Sequence, residues 1–198
     1  MARKDDGLLK GLQAQRRYAG AFNWSDKRVK EHRGVRTLLE AMAAEGDTRF
    51  CNPRPSAVDP PDCVVDGPNG GFVGIEVTEL VDEEVVRANE QAQEREDREI
   101  RLWRMGDVWA RVAEIVKAKD SKPFSGAPYS MRLLLIQCDE PHITSPDFDV
   151  QQIGVMPVCT TSQIDEAYLL LSYHPDPGRG GGRYPYVRLP VSKEGAPQ

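Results

Sequence analysis

The sequence predicts an α/β fold, with a mixed central β-sheet flanked by helices. Three observations carry that prediction. Periodic segments follow one another in the order α-β-β-β-α-β. The run Met131–Cys138 is apolar almost throughout, as a strand covered on both faces must be. Two helical stretches carry apolar residues three and four apart, the spacing of one buried helix face. With 198 residues the chain can bury a core of its own. The expected organisation is a basic N-terminal arm over 1–25 and one domain over 26–198.

Taken in order, residues 1–24 hold Leu8, Leu9, Leu12, Tyr18, Phe22 and Trp24 among charges and read as a loosely structured arm. Ser25 or Asp26 is suited to cap a helix that runs to about Glu45, with Val35, Leu38, Leu39 and Met42 on its apolar face and Gly46 as its stop. A strand is expected at 48–52, followed by a Pro-rich loop over 53–61. Two short strands then flank Gly67-Pro68-Asn69-Gly70-Gly71, which is strong turn chemistry and predicts a hairpin. The second helical region covers 82–119. Its first half is charged, and its second half carries the stripe Val108, Val112, Ile115 and Val116, with Trp103 and Trp109 nearby and Gly106 as a break. A turn-rich linker, 119–128, leads to the strand at Met131–Cys138. Further strands are expected at 153–159, 167–173 and 186–191, the last after the loop Gly178-Arg179-Gly180-Gly181-Gly182.

Composition narrows the function classes. No apolar run approaches the roughly 18 residues of a membrane span, and the N-terminus lacks the apolar core of a secretion signal, so a cytoplasmic protein is expected. Cys51, Cys63, Cys138 and Cys159 form no Cys-x-x-Cys pair, which argues against zinc or redox work. The formal net charge of −5 argues against tight nonspecific binding to nucleic acid. That balance is uneven, however: residues 1–36 hold ten Lys or Arg against four acids, and residues 76–99 ten acids against three Arg. The basic arm is either a phosphate-tracking segment or solvated surface.

The chemistry points to two acids. Asp62, after Pro61, opens the first hairpin strand, and Glu76 lies in the middle of the second, in Gly74-Ile75-Glu76-Val77-Thr78-Glu79. A hairpin brings the start of one strand beside the end of the other, so Asp62 and Glu76 can share one hard cation, with the carbonyl of Val77 as a third ligand. Glu79 faces away from Glu76 in a flat strand. The plain structural reading is a turn cap at Asp62 and an Arg partner for Glu76, but a mid-strand Glu between Ile75 and Val77 is costly to bury without a partner.

Pro61-Asp62, the spacer and Glu76-Val77-Thr78 together resemble the PD-(D/E)xK nuclease superfamily, and the similarity spans about residues 26–140. The resemblance implies a restriction-endonuclease-like core and hydrolysis of phosphodiester bonds in DNA, or RNA, with Mg²⁺ or Mn²⁺. It implies Asp62, Glu76 and Val77 as metal ligands. It also makes Glu31 a supporting acid from the first helix, in Glu31-His32-Arg33-Gly34-Val35-Arg36-Thr37-Leu38-Leu39, with Glu40 as fallback. Thr78 stands where the superfamily has its lysine, and a hydroxyl carries no charge to replace that electrostatic effect. Three outcomes follow: a lysine reaches in from elsewhere (Lys117, Lys119 or Lys122), the metal works alone, or the site is silent. A silent member would bind nucleic acid or a protein partner, for example in a defence or mobile-element system. Pairing of two copies is also expected of many nucleases with this fold. A third reading is an unrelated α/β interaction domain.

Other residues carry weaker signals. His32, His142 and His174 have no mutual metal-ligand spacing, although His142 follows the central strand, where active-site loops sit in open sheets. A Cys138–His142 pair matches no protease signature. The Gly178–Gly182 loop, with Arg179 and Arg183, fits neither common phosphate-binding glycine motif.

Overall fold

The apolar run Met131–Cys138 forms the middle of a six-stranded mixed sheet. The structure, a computed structural model, describes residues 26–81, 103–126, 128–140, 143, 156–171 and 184–195. Its elements are α1 (Lys27–Ala44), β1 (Cys51–Pro55), β2 (Cys63–Asp66), β3 (Phe72–Glu79), α2 (Met105–Asp120), β4 (Met131–Cys138), β5 (Cys159–Thr161), β6 (Glu166–Leu171), β7 (Tyr186–Leu189) and β8 (Val191–Lys193). The sheet order is β1-β2-β3-β4-β6-β7, with β3, β4 and β6 parallel and the outer strands antiparallel to their neighbours. The expected mixed sheet flanked by helices is therefore present.

Alternation along the strands explains the two layers. On β4, Leu133 and Leu135 meet Val35, Leu38 and Met42 of α1, while Leu134, Ile136 and Cys138 meet Val108, Val112 and Val116 of α2. Both faces are covered, hence the continuous apolarity. On β3 the alternation is unequal. Val73, Ile75 and Val77 belong to the α1 core, but the opposite face of that strand carries Gly74, Glu76 and Thr78. The α2 core draws on β4, β6 and β7, and among the described residues no side chain of β1, β2 or β3 joins it. On that face of β3 the described neighbours include Phe124 and Pro61 over Gly74, with the polar Glu76 and Thr78 beyond them.

The helix ends follow their sequence signals. Asp26 caps α1, its carboxylate accepting from the Arg28 N–H at 2.9 Å, and Gly46 just beyond the helix adopts φ +90°. In the hairpin turn Asn69 and Gly70 are left-handed, at φ 59° and 74°, which is why Asn-Gly stands there. Gly106 lies in the first turn of α2, whose N-terminus is at Met105; the charged half from which it was expected to separate this helix lies outside the described residues.

Some strand boundaries move. The first strand is Cys51–Pro55 rather than 48–52, so it takes in two prolines of the expected loop. An edge strand tolerates them, and a bulge between Cys51 and Arg54 accommodates the irregularity. The expected last strand divides at Pro190 into β7 and β8, and β8 leaves the main sheet to pair in parallel with β5. The strand expected at 153–159 is described only as Cys159–Thr161, and that at 167–173 as Glu166–Leu171. The basic arm, the charged half of the second helical region, His142, His174 and the Gly178–Gly182 loop lie outside the described residues. No helix among the described residues is long and apolar enough to cross a membrane.

One carboxylate anchors the end of α2. Asp120 accepts from the N–H groups of Ser162 (2.8 Å), Gln163 (2.7 Å) and Ile164 (2.9 Å) and from the Ser162 hydroxyl (3.0 Å). Burial alone would push its pKa up, but these donors outweigh it and hold the carboxyl below the ordinary aspartate value of 3.8. A depressed folded-state pKa gives stability that is complete above the unfolded value and lost as the pH falls below it. Asp120→Asn is therefore expected to lower stability by about 1–2 kcal/mol at neutral pH. In urea unfolding between pH 7 and pH 3, the gap to wild type should close on the acid side; a gap independent of pH would contradict this account.

Candidate metal centre

The hairpin register sets Asp62 beside Glu76. Cys63 pairs with Ile75, and the Asp62 N–H donates to the Ile75 carbonyl at 3.1 Å. One step further along β3, the Val77 N–H donates to Asp62 Oδ2 at 2.7 Å. The carboxylate thus continues the ladder where the β2 backbone ends, which fixes its orientation. Glu76 projects from the polar face of β3 and is only 8 % exposed.

A lysine from the other side of the sequence meets it. Lys119 Nζ, in the last turn of α2, stands 2.6 Å from Glu76 Oε1. Its neighbour Asp120 ties the helix end to the turn before β6, so Lys119 is turned toward β3. The second oxygen, Glu76 Oε2, is buried and has no hydrogen-bond partner among the described residues. Asp59, Asp62 and Glu76 each offer a carboxylate oxygen, and these oxygens lie within 4.8 Å of one another.

Gly74 makes the packing around this cluster possible. A Cβ there would stand 2.8 Å from the Phe124 ring and 3.1 Å from Pro61. Its absence lets the loop after α2 close onto the Pro60-Pro61 segment, where the Ser125 N–H donates to the Pro60 carbonyl at 2.8 Å. The acid-bearing loop and the lysine-bearing helix end are thereby locked together, two residues from Glu76 on the same strand face.

The predicted residues fall as follows. Asp62 and Glu76 come together, and Val77 enters through its N–H. Thr78 lies half-buried on the same face of β3 as Glu76. Glu31 is buried on α1 and pairs with Lys27 at 3.2 Å; it is not one of the three clustered carboxylates. Glu40 is exposed and pairs with Arg36 at 3.4 Å, away from that cluster. Glu79 points to the α1 side, where Lys30 holds it at 2.6 Å. Of the three candidate lysines, Lys119 reaches the acids and Lys117 and Lys122 are exposed. Asp59 is the residue that sequence reasoning missed. Its signal was Asp59-Pro60-Pro61-Asp62, a second acid three positions before the first, inside a stretch read only as loop.

Burial pushes the Asp62 carboxyl above its usual value, and the nearby Glu31 charge adds to this against the Val77 N–H. Burial likewise raises Glu76, against the opposing bond from Lys119. Burial pushes the thiols of Cys63 and Cys138 up to about 12, which disfavours thiolate chemistry at these two. No family model matches the chain, and no curated protein or solved structure shows a significant match to it.

Raised carboxylate pKa values mean that ionising the cluster costs stability above the ordinary carboxylate range. Asp62→Asn keeps an acceptor for Val77 and removes one charge. In chelator-treated protein at neutral pH it is expected to stabilise the fold by the order of 1 kcal/mol, or roughly 2–4 °C in Tm. A melting temperature below that of wild type would show that ionised, buried Asp62 does not cost the fold stability.

Proposed function

We propose that this protein is a divalent-metal-dependent nuclease that hydrolyses phosphodiester bonds of nucleic acid, DNA foremost, in the cytoplasm. Two observations carry the reading: Glu76 Oε2 is a buried carboxylate oxygen with no partner among the described residues, and the Glu76 carboxylate lies within reach of those of Asp59 and Asp62. Such an atom is costly unless a cation meets it. Asp59, Asp62 and Glu76 form an all-oxygen donor set of the kind Mg²⁺ or Mn²⁺ takes, with the Val77 carbonyl as a further ligand. When bound, such an ion supplies Lewis acidity toward a phosphoryl oxygen and acidifies water.

The chain's own residues supply the rest. Val77 orients Asp62 through its N–H. Lys119 places a positive charge at the acids, in the role that Thr78 cannot fill from the usual position. Glu31, held by Lys27, adds negative potential from the α1 side. The test is cleavage of mixed DNA and RNA substrates with and without Mg²⁺ or Mn²⁺, for the wild type, Asp62→Ala and Glu76→Ala. Metal-dependent cleavage lost in both variants supports the nuclease. Folded protein that neither cleaves nor binds metal would make the chain a silent scaffold for nucleic acid or a protein partner.

A further inference from the structure

Lys119 does more to the acid cluster than restore a missing charge. Its ammonium already holds one oxygen of Glu76, at 2.6 Å, while the other oxygen of the same carboxylate is buried without a partner. An ion held by Glu76 would share that carboxylate with the ammonium of Lys119. Two cations so close repel strongly where burial limits screening. The local balance is also telling. Lys119 offsets Glu76 and Lys27 offsets Glu31, which leaves Asp59 and Asp62 as the two formal negative charges for an incoming ion.

We propose that Lys119 is a resident cation that sets the metal affinity of the site: it shares Glu76 with a single divalent ion, which it holds to weak, exchangeable binding. The inference rests on the metal-centre reading above and deepens it by naming what regulates occupancy. Metal binding is then expected to tighten, not loosen, when the charge of Lys119 is removed, the reverse of what a merely structural lysine would give.

The experiment titrates Mn²⁺ alone against wild type, Lys119→Gln and Lys119→Arg, and follows free Mn²⁺ by electron paramagnetic resonance. Gln keeps a donor for Glu76 Oε1 without the charge, and Arg keeps the charge; circular dichroism checks that each variant is folded. The expected result is one ion per chain, with Lys119→Gln binding about tenfold more tightly than wild type and Lys119→Arg within about twofold of it. Wild type that binds Mn²⁺ while folded Lys119→Gln binds equally or more weakly overturns this proposal and leaves the metal centre standing. No binding by either protein overturns both. Should Lys119→Gln fail to fold, Lys119→Met takes its place under the same criterion.

Discussion

Lys119→Met is expected to slow the proposed metal-dependent cleavage by roughly 10²–10³-fold at saturating Mn²⁺, a loss of about 2.7–4 kcal/mol of transition-state stabilisation. Charge accumulates on the phosphate oxygens and the leaving oxygen during phosphodiester hydrolysis, and a fixed ammonium in a half-buried site stabilises that charge without having to reorganise. Lys119 is fixed in this sense: Glu76 takes its Nζ at 2.6 Å, and Asp120 holds the adjacent helix end through four hydrogen bonds. Single-turnover cleavage of a labelled oligonucleotide measures the effect. Weak metal binding cannot account for the loss, since removing this charge is expected to tighten Mn²⁺. A second variant makes the role specific. Thr78→Lys, on the same face of β3 as Glu76, should recover part of the rate in the Lys119→Met background. Unchanged cleavage in Lys119→Met would remove the lysine from the mechanism.

The largest effect on stability is expected at Glu166, far from the acids in sequence and in role. This residue is buried at 6 % exposure. Its carboxylate takes both terminal nitrogens of Arg49 (2.9 and 3.2 Å), Arg188 Nη2 (2.9 Å) and the Tyr168 hydroxyl. It thereby ties the segment after α1 to β6 and β7. Burial opposes its ionisation, but the Arg49 bonds and the other donors win, and its pKa lies below the ordinary value. Glu166→Ala leaves Arg188 without this carboxylate, Arg49 with the Asp47 carboxylate alone, and a buried phenol without its acceptor. The cost is expected to be about 3 kcal/mol, near the lower end for a broken buried pair because both arginines keep part of their water. A denaturant midpoint shift worth less than about 1 kcal/mol would show that the network re-forms around solvent. The proposed cleavage, per folded molecule, should not change.

These two residues mark how far local pattern carries. Asp62 and Glu76 were legible because a hairpin is a local structure. Pro68-Asn69-Gly70-Gly71 sets the turn, the period of two sets the faces, and register then brings the acids together. The face of Glu79 was legible for the same reason. Asp59 was not, because a loop residue has no periodicity to say where its side chain points. The Arg49–Glu166–Arg188 network was equally invisible, since its members lie 117 and 22 positions apart and belong to segments whose adjacency is a matter of topology.

Sequence alone determined the layer architecture: α1 and α2 by their apolar stripes, β4 by its unbroken apolarity, the hairpin by its turn, and the meeting of Asp62, just before β2, with Glu76 on β3 by their register. Burial pattern and turn chemistry are properties of neighbouring residues, and a chain expresses them wherever it folds. Only the tertiary structure decided that Lys119, forty-three positions from Glu76, completes the cluster. That meeting depends on where α2 ends against the sheet, and the end is set by Asp120 on the turn before β6 and by Phe124 seated over Gly74. Each is a contact between distant segments, and no spacing within either segment records it.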